Sequence, residues 1–151
     1  MRALGLDVSF WQDDNATPKK VNFDKAKLNG AEFVFIKASQ QVADEVRRTG
    51  VKDGLCLVFV PHATAAVVIN ENADPNVCQD ILDAMGRLVP EGAWRHDRID
   101  NNAAAHIKAT ILGPSETVQV RGGALRLGTW QSLMLVEFDG PRDRTVIVEV
   151  R

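Results

Sequence analysis

Short apolar runs crowd the chain after residue 50: "LCLVFVP", "AAVVIN", "ETVQV", "ALRLGTW", "SLMLVEF" and "RTVIVEV". They are too short for helices and rich in β-branched residues, and Gly, Pro and Asp turns lie between most of them. Strands joined by short connections pair antiparallel, because a parallel pair needs a long crossover. Residues 50–151 are therefore predicted to fold as antiparallel sheet with a few helices packed on it.

The helices have their own signals. Ser39 can cap "QQVADEVRRTG", in which Val42 and Val46 form an i, i+4 pair and Gly50 ends the run. "DPNVCQDILDAMGRLVP" places Asp74 as cap and Pro75 at the first helical position, with Val77, Ile81, Leu82, Met85 and Leu88 along one face. "AAAHIKATIL" reads as a short helix stopped by Gly113, and "EGAWRHDRIDNN" before it as polar, irregular chain. The first quarter follows another pattern. "ALGLDVS" (residues 3–9) reads as a strand, "WQDDNATPKK" as loop, "NFDKAKLNG" as a helix and "AEFVFIKAS" as a second strand, so residues 1–38 look like a βαβ unit.

With 45% hydrophobic residues the chain can bury a real core, and 151 residues suit one folded unit. A net charge of −2 without a basic stripe argues against nucleic-acid binding. The longest apolar runs, about 8 to 10 residues, are too short to span a bilayer. The start, "MRALGLDVSFWQ", does not read as a signal peptide, and Cys56 and Cys78 read as reduced thiols, so a cytoplasmic location is expected.

The chemistry-bearing residues gather in a few places. His62 follows Pro61 at the start of one strand, while Asn70 and Glu71 lie at its other end. A bend or a neighbouring subunit is needed to bring them together. "WRHDRIDNNAAAHIKA" holds His96, Asp97, Asp100, Asn101, His106 and Lys108. Neutral imidazole is a common transition-metal ligand, and a nearby carboxylate can orient it. Three histidines with one open position make a catalytic zinc-type site, and the same groups suit acid–base work; solvated loop histidines are the plain alternative. Lys108 and Arg142 are candidate phosphate binders, and Ser115 follows a Gly-Pro turn whose N–H groups suit an anion. "GTWQ" is expected as strand, with Thr129 and Gln131 on one face and Trp130 in the core or a subunit interface. "EFDGPRDR" is expected as a hairpin loop.

Two family resemblances account for the change of pattern. "GLDVSFWQ" followed by "VNFDKAKLNGAEFVFIKAS" resembles the beginning of glycoside hydrolase family 25 lysozymes, over about residues 1–39. Glycoside hydrolysis needs two placed carboxyl groups. The Asp-x-Glu pair of that family occurs nowhere in this chain, which leaves Asp7 without its partners, so lysozyme activity is not expected. From about Glu32 to the end, "GVKDGLCLVFVPHATAAVVINENADP", "WRHDRIDNNAAAHIKATILGPSETVQV" and "GALRLGTWQSLMLVEFDGPRDRTVIV" resemble the YjbQ family, also called UPF0047. The first quarter then reads as a lysozyme-like piece joined to a YjbQ-like domain, a chimera.

The YjbQ resemblance implies an α+β, mainly antiparallel sandwich-like fold, a homotrimer, and weak thiamine-phosphate synthase activity on small phosphorylated molecules. It implies a divalent metal, zinc or magnesium, held by His62, His96 and His106. Glu71, Asp97 and Lys108 would act at the reacting groups. Thr64, Asn70, Asn101, Ser115, Thr129, Gln131 and Arg142 would bind substrate. One departure is Ala63, where that family carries a hydroxyl after the histidine. It favours the alternative of a chimeric scaffold that keeps the fold without turnover.

Overall fold

A computed structural model describes residues 19–21, 34–140 and 142–151. The order of elements is β1 (Lys19–Val21), β2 (Val34–Lys37), α1 (Ser39–Thr49), β3 (Gly54–Phe59), β4 (Ala65–Glu71), α2 (Pro75–Leu88), a 3-10 turn (Arg95–Arg98), α3 (Ala103–Leu112), β5 (Ser115–Arg121), β6 (Ala124–Leu125), β7 (Gln131–Glu137) and β8 (Arg144–Val150). Among the described residues the strands form two sheets, ordered β1-β8-β3-β5-β6 and β2-β7-β4, and every pairing is antiparallel. This is the α+β, antiparallel architecture that the alternating runs predict. Among the described residues no helix is long and apolar enough to cross a membrane.

One core joins the sheets. Cys56 and Val58 of β3, Val118 and Val120 of β5 and Val146 of β8 meet Val67 of β4 and Leu133 and Leu135 of β7. Helix α1 adds Val42 and Val46, both fully buried as their spacing predicts, and ends at Gly50 with φ 73°. The other face of the three-stranded sheet carries Ala66, Val136 and Phe138 against Ala105 and Ala109 of α3. These alanines let α3 lie close to β4 and fix the position of everything at its N-terminus. Helix α2 begins as expected, with Asp74 accepting the Asn76 N–H at 2.9 Å and Pro75 in its first turn. Its apolar face is only half covered, however, and Leu88 is 62% exposed.

Several expectations change. The strand and helix predicted over 3–9 and 22–30 lie outside the described residues, as do Asp7, Trp11 and Gln12. Lys19 and Lys20, expected as loop, pair with β8 together with Val21 as an edge strand. The strand at 34–37 pairs antiparallel with β7 and so belongs to an antiparallel sheet, not to the parallel sheet a βαβ unit implies. The strand expected over 124–130 is two residues long, since the chain turns at Gly128: the Gln131 N–H donates to the Gly128 carbonyl at 3.0 Å, and the Gln131 side-chain oxygen accepts the Gly128 N–H at 2.8 Å. Thr129 and Trp130 therefore stand in a turn, and Trp130 is 65% exposed in the single chain. "EFDGPRDR" is no hairpin either: β7 and β8 lie in different sheets, and the segment crosses between them.

That crossing is fastened by a buried ion pair. Arg144 and Glu137 are 6% and 2% exposed. The Arg144 guanidinium grips the carboxylate with both Nε and Nη2, the latter at 2.6 Å, and Nη2 also donates to the Thr64 hydroxyl at 2.7 Å. The same carboxylate accepts the Asp139 N–H at 2.7 Å. A Cβ at Gly140 would come within 2.9 Å of the Glu137 side chain, so only glycine leaves room for this packing.

His62 completes the fastening. In the β3–β8 register Phe59 faces Ile147, so continuing the ladder would set Pro61 opposite Thr145. Proline has no N–H, the ladder stops, and His62 Nε2 accepts the Thr145 N–H at 2.8 Å instead. Burial, then the Arg144 charge, hold the imidazole below its ordinary pKa of 6.5, against an opposing pull from Glu137.

Two predictions follow from this clasp. Removing one partner of a buried pair leaves an uncompensated charge, which costs roughly 3–5 kcal/mol. Glu137→Ala should lose about that much in urea unfolding, and the apolar double variant Glu137→Leu with Arg144→Met should recover most of it. A loss below about 1 kcal/mol for Glu137→Ala would mean that the pair is not a fastening. For His62 the folded pKa is depressed, so its contribution is present above about pH 6.5 and is lost as pH falls. The urea midpoint of the wild type should drop between about pH 7.5 and pH 5.5 by more than that of His62→Gln, whose amide oxygen accepts the same N–H without titrating. Equal drops would place the acid-sensitive group elsewhere.

Candidate functional site

The sheet face under α3 and the segment crossing between the sheets together position a pair of histidines. Asn102, immediately before α3, donates its side-chain N–H to Asp139 Oδ2 at 2.9 Å, tying the helix start to the crossing segment. Asp97 ties the preceding 3-10 turn to the same place: Oδ1 accepts the Ala103 N–H at 3.0 Å and Oδ2 the Trp94 N–H at 2.9 Å. The indole N–H of Trp94 donates to the Pro90 carbonyl at 2.7 Å. His96 on the turn and His106 on α3 are thereby brought face to edge, their ring centroids 5.2 Å apart and their planes at 89°. They line a cavity of about 530 Å³ with Trp94, Arg95, Ala103 and Ile107. Asp100 Oδ2 is 3.9 Å from His96 Nε2, beyond hydrogen-bonding distance.

A second, more polar cavity of about 500 Å³ shares Ala93, Trp94 and Arg95 with the first and is lined further by Asp97, Arg98 and Asn101. Asn101 takes φ 52°, a left-handed conformation that asparagine tolerates better than most residues.

The remaining candidates are dispersed. His62 is engaged with Thr145 and does not join the other two histidines; among the described residues no three His, Cys, Asp or Glu side chains form a metal-binding group. Thr64 is buried and accepts from Arg144. Lys108 is 1% exposed and donates to Glu91 at 2.5 Å. Arg142 is turned back onto Asp139, with Nη2 3.0 Å from Oδ2 and Nε donating to the backbone carbonyl at 2.8 Å. Asn70 accepts the Glu71 N–H at 2.8 Å, and Glu71 lies at the far end of β4 beside Gln131. Ser115 is exposed at the start of β5. Asp97, expected among the reacting groups, holds backbone N–H groups with both oxygens.

Sequence reasoning passed over Glu137, Arg144 and Asn102, which hold the site, and Trp94, Arg95 and Arg98, which line it. The first two carried a signal. Glu137 closes the otherwise apolar run "SLMLVE" and Arg144 opens "RTVIV", and a charge on a buried strand requires an opposite charge.

Comparison with known proteins follows the same outline. The profile of the UPF0047 protein YjbQ-like family matches residues 24–151. That span begins earlier than Glu32, so the family takes in residues 24–31, which the resemblance to lysozymes places in the first piece. A UPF0047 protein of Archaeoglobus fulgidus is 52% identical over 110 residues, covering 72% of this chain and 86% of the relative. The UPF0047 protein YugU of Bacillus subtilis is 40% identical over 119 residues, covering 77% and 88%. The crystal structure of an uncharacterized YjbQ/UPF0047 family protein from Clostridium acetobutylicum superposes with a TM-score of 0.80 at 39% identity, over 89% of this chain and 99% of that one. A hypothetical protein from Aeropyrum pernix gives a TM-score of 0.80 at 38% identity, over 89% and 96%. With that coverage in both sequence and structure, the chain belongs to the YjbQ-like UPF0047 family.

Proposed function

We propose that the chain binds a divalent metal at His96 and His106, zinc before magnesium because imidazole nitrogen suits zinc, and acts there on a small phosphorylated molecule. The supporting observation is the 5.2 Å spacing of the two imidazoles at one cavity. Two imidazoles on one cavity would offer a zinc-type ion the nitrogen ligands it takes. Two histidines fill half of such a site. Glu71, at the far end of β4 within one chain, would reach the site from a neighbouring subunit of a homotrimer, as one of the groups that act on the ligand. Apolar side chains left open on the single chain support an assembly: Leu88 at 62%, Trp130 at 65% and Ile99 at 76% exposure.

Resemblance to the family's thiamine-phosphate synthases supplies the reaction: a pyrimidine pyrophosphate and a thiazole phosphate are joined and pyrophosphate leaves. When bound, the ion supplies positive charge to the departing pyrophosphate. The chain's part is to hold both rings in line in a cavity walled by Trp94 and Ile107, with Asp97 keeping the turn rigid. A second reading is a scaffold without turnover, since Ala63 is exposed and carries no hydroxyl beside Thr64. A lysozyme-like first quarter would add no hydrolase activity on either reading, because the required carboxylate pair is missing from the sequence.

Elemental mass spectrometry of the purified protein decides between these readings. The expected result is about one zinc or similar ion per chain, lost in His96→Ala and in His106→Ala and retained in His62→Gln. Equal metal in all four proteins would sink the proposed centre. Thiamine-phosphate formation that disappears in His106→Ala would support the reaction; none above background in metal-loaded wild type would favour the scaffold.

A further inference from the structure

Lys108 and Arg142, the cations that the sequence offers for a phosphate, are both engaged: Lys108 is buried against Glu91 and Arg142 is folded onto Asp139. The cations beside the histidine pocket are instead Arg95 and Arg98. Both line the polar cavity of about 500 Å³, and Arg95 lines the histidine pocket as well. Neither forms an ion pair or a side-chain hydrogen bond among the described residues. The carboxylate on that cavity's wall is Asp97, and each of its oxygens accepts a backbone N–H. Two exposed arginines without an ion-pair partner among the described residues therefore line a concave surface whose acidic group is already hydrogen-bonded elsewhere.

We infer that Arg95 and Arg98 form an anion subsite for the phosphoryl or pyrophosphoryl group of the ligand. The planar part of that ligand enters the adjoining cavity between Trp94, His106 and Ile107. This rests on the proposed function and says which side chains take the anion. Guanidinium suits the task because its fork of N–H donors pairs two oxygens at once and keeps its charge at any working pH. Asn101, in its left-handed conformation on the same wall, shapes the floor of the cavity.

The test is calorimetric titration of the full chain with inorganic pyrophosphate in the presence of EDTA, so that no metal ion carries the anion. Phenyl phosphate serves as a second probe that fills both cavities. The double variant Arg95→Ala with Arg98→Ala should weaken pyrophosphate by about tenfold or more, as expected for lost charge-assisted hydrogen bonds, and should leave the melting temperature unchanged. Ile107→Ala should weaken phenyl phosphate and spare pyrophosphate. Wild-type protein that fails to bind pyrophosphate, a double variant that binds it like wild type, or an equal loss in Arg142→Ala would each overturn the subsite. These outcomes are separable from the metal assay: a chain that loads metal on its histidines while the double variant still binds pyrophosphate keeps the proposed centre and loses only this assignment.

Discussion

The buried pair of Arg144 and Glu137 is the interaction on which the rest of the molecule depends. The two charges come from the facing ends of strands in different sheets, so their contact is also the contact between sheets. An isolated buried charge is expensive, and this pair is tolerable because nearly every polar position finds a partner: two guanidinium nitrogens on the carboxylate, one shared with Thr64, and the Asp139 N–H on the carboxylate. Asp139 then passes the constraint on. It takes the Asn102 side chain, which precedes the helix that carries His106. A continuous set of hydrogen bonds thus runs from the inter-sheet clasp to the histidine pocket. The pocket is built on rigid elements, although it is lined largely by a loop.

The three histidines illustrate how far residue type and local sequence carry. Each lies in a polar cluster, and from the sequence they look equivalent. The fold separates them by what faces their nitrogens. His62 follows a proline that interrupts a β-ladder, and its ring takes the Thr145 N–H that a β3 carbonyl would otherwise accept; a lowered pKa serves that role, since only the neutral ring accepts at Nε2. Among the described residues His96 and His106 make no such backbone contact through their rings, and they pack face to edge against each other at the cavity. A proline–histidine pair at the end of a strand is thus a structural signal when the partner strand continues past it, and that continuation is invisible without the register.

The strands and helices were legible because their signals are local. The Val42/Val46 spacing, the Asp74-Pro75 start and the glycine stop after Thr49 each act within a few residues, and both helices formed where they were expected. Ser39 does not cap α1, however: it is the first helical residue, and its hydroxyl accepts the Leu133 N–H instead. Failures came where long-range packing decides. The run "ALRLGTW" has strand composition, yet the Gln131 side chain closes a turn on Gly128 and ends pairing after Leu125. The segment "EFDGPRDR" has the composition of a hairpin, but the strands it joins pair elsewhere, β7 with β2 and β4 and β8 with β1 and β3. Of the candidate site, the loop–helix unit with His96, Asp97 and His106 was legible as a cluster. The roles inside it were not. A carboxylate that clamps two backbone N–H groups and one that moves a proton look identical in a sequence.

The same reasoning explains why cations offered by the sequence for phosphate binding are not the ones that face the cavities. Lys108 is on the buried side of α3, where an unpaired ammonium would be costly, so Glu91 neutralises it and its charge is unavailable to a ligand. Arg142 stands in the segment crossing between the sheets, where Asp139 draws it in. Arg95 and Arg98 flank Asp97, which would ordinarily claim one of them. Asp97 instead turns both oxygens toward main-chain N–H groups of the turn and of α3. Holding the loop in shape and leaving its arginines free are therefore the work of one carboxylate. A substitution at Asp97 would disturb the anion-facing charges as well as the histidine geometry, even though Asp97 itself touches neither imidazole through a hydrogen bond.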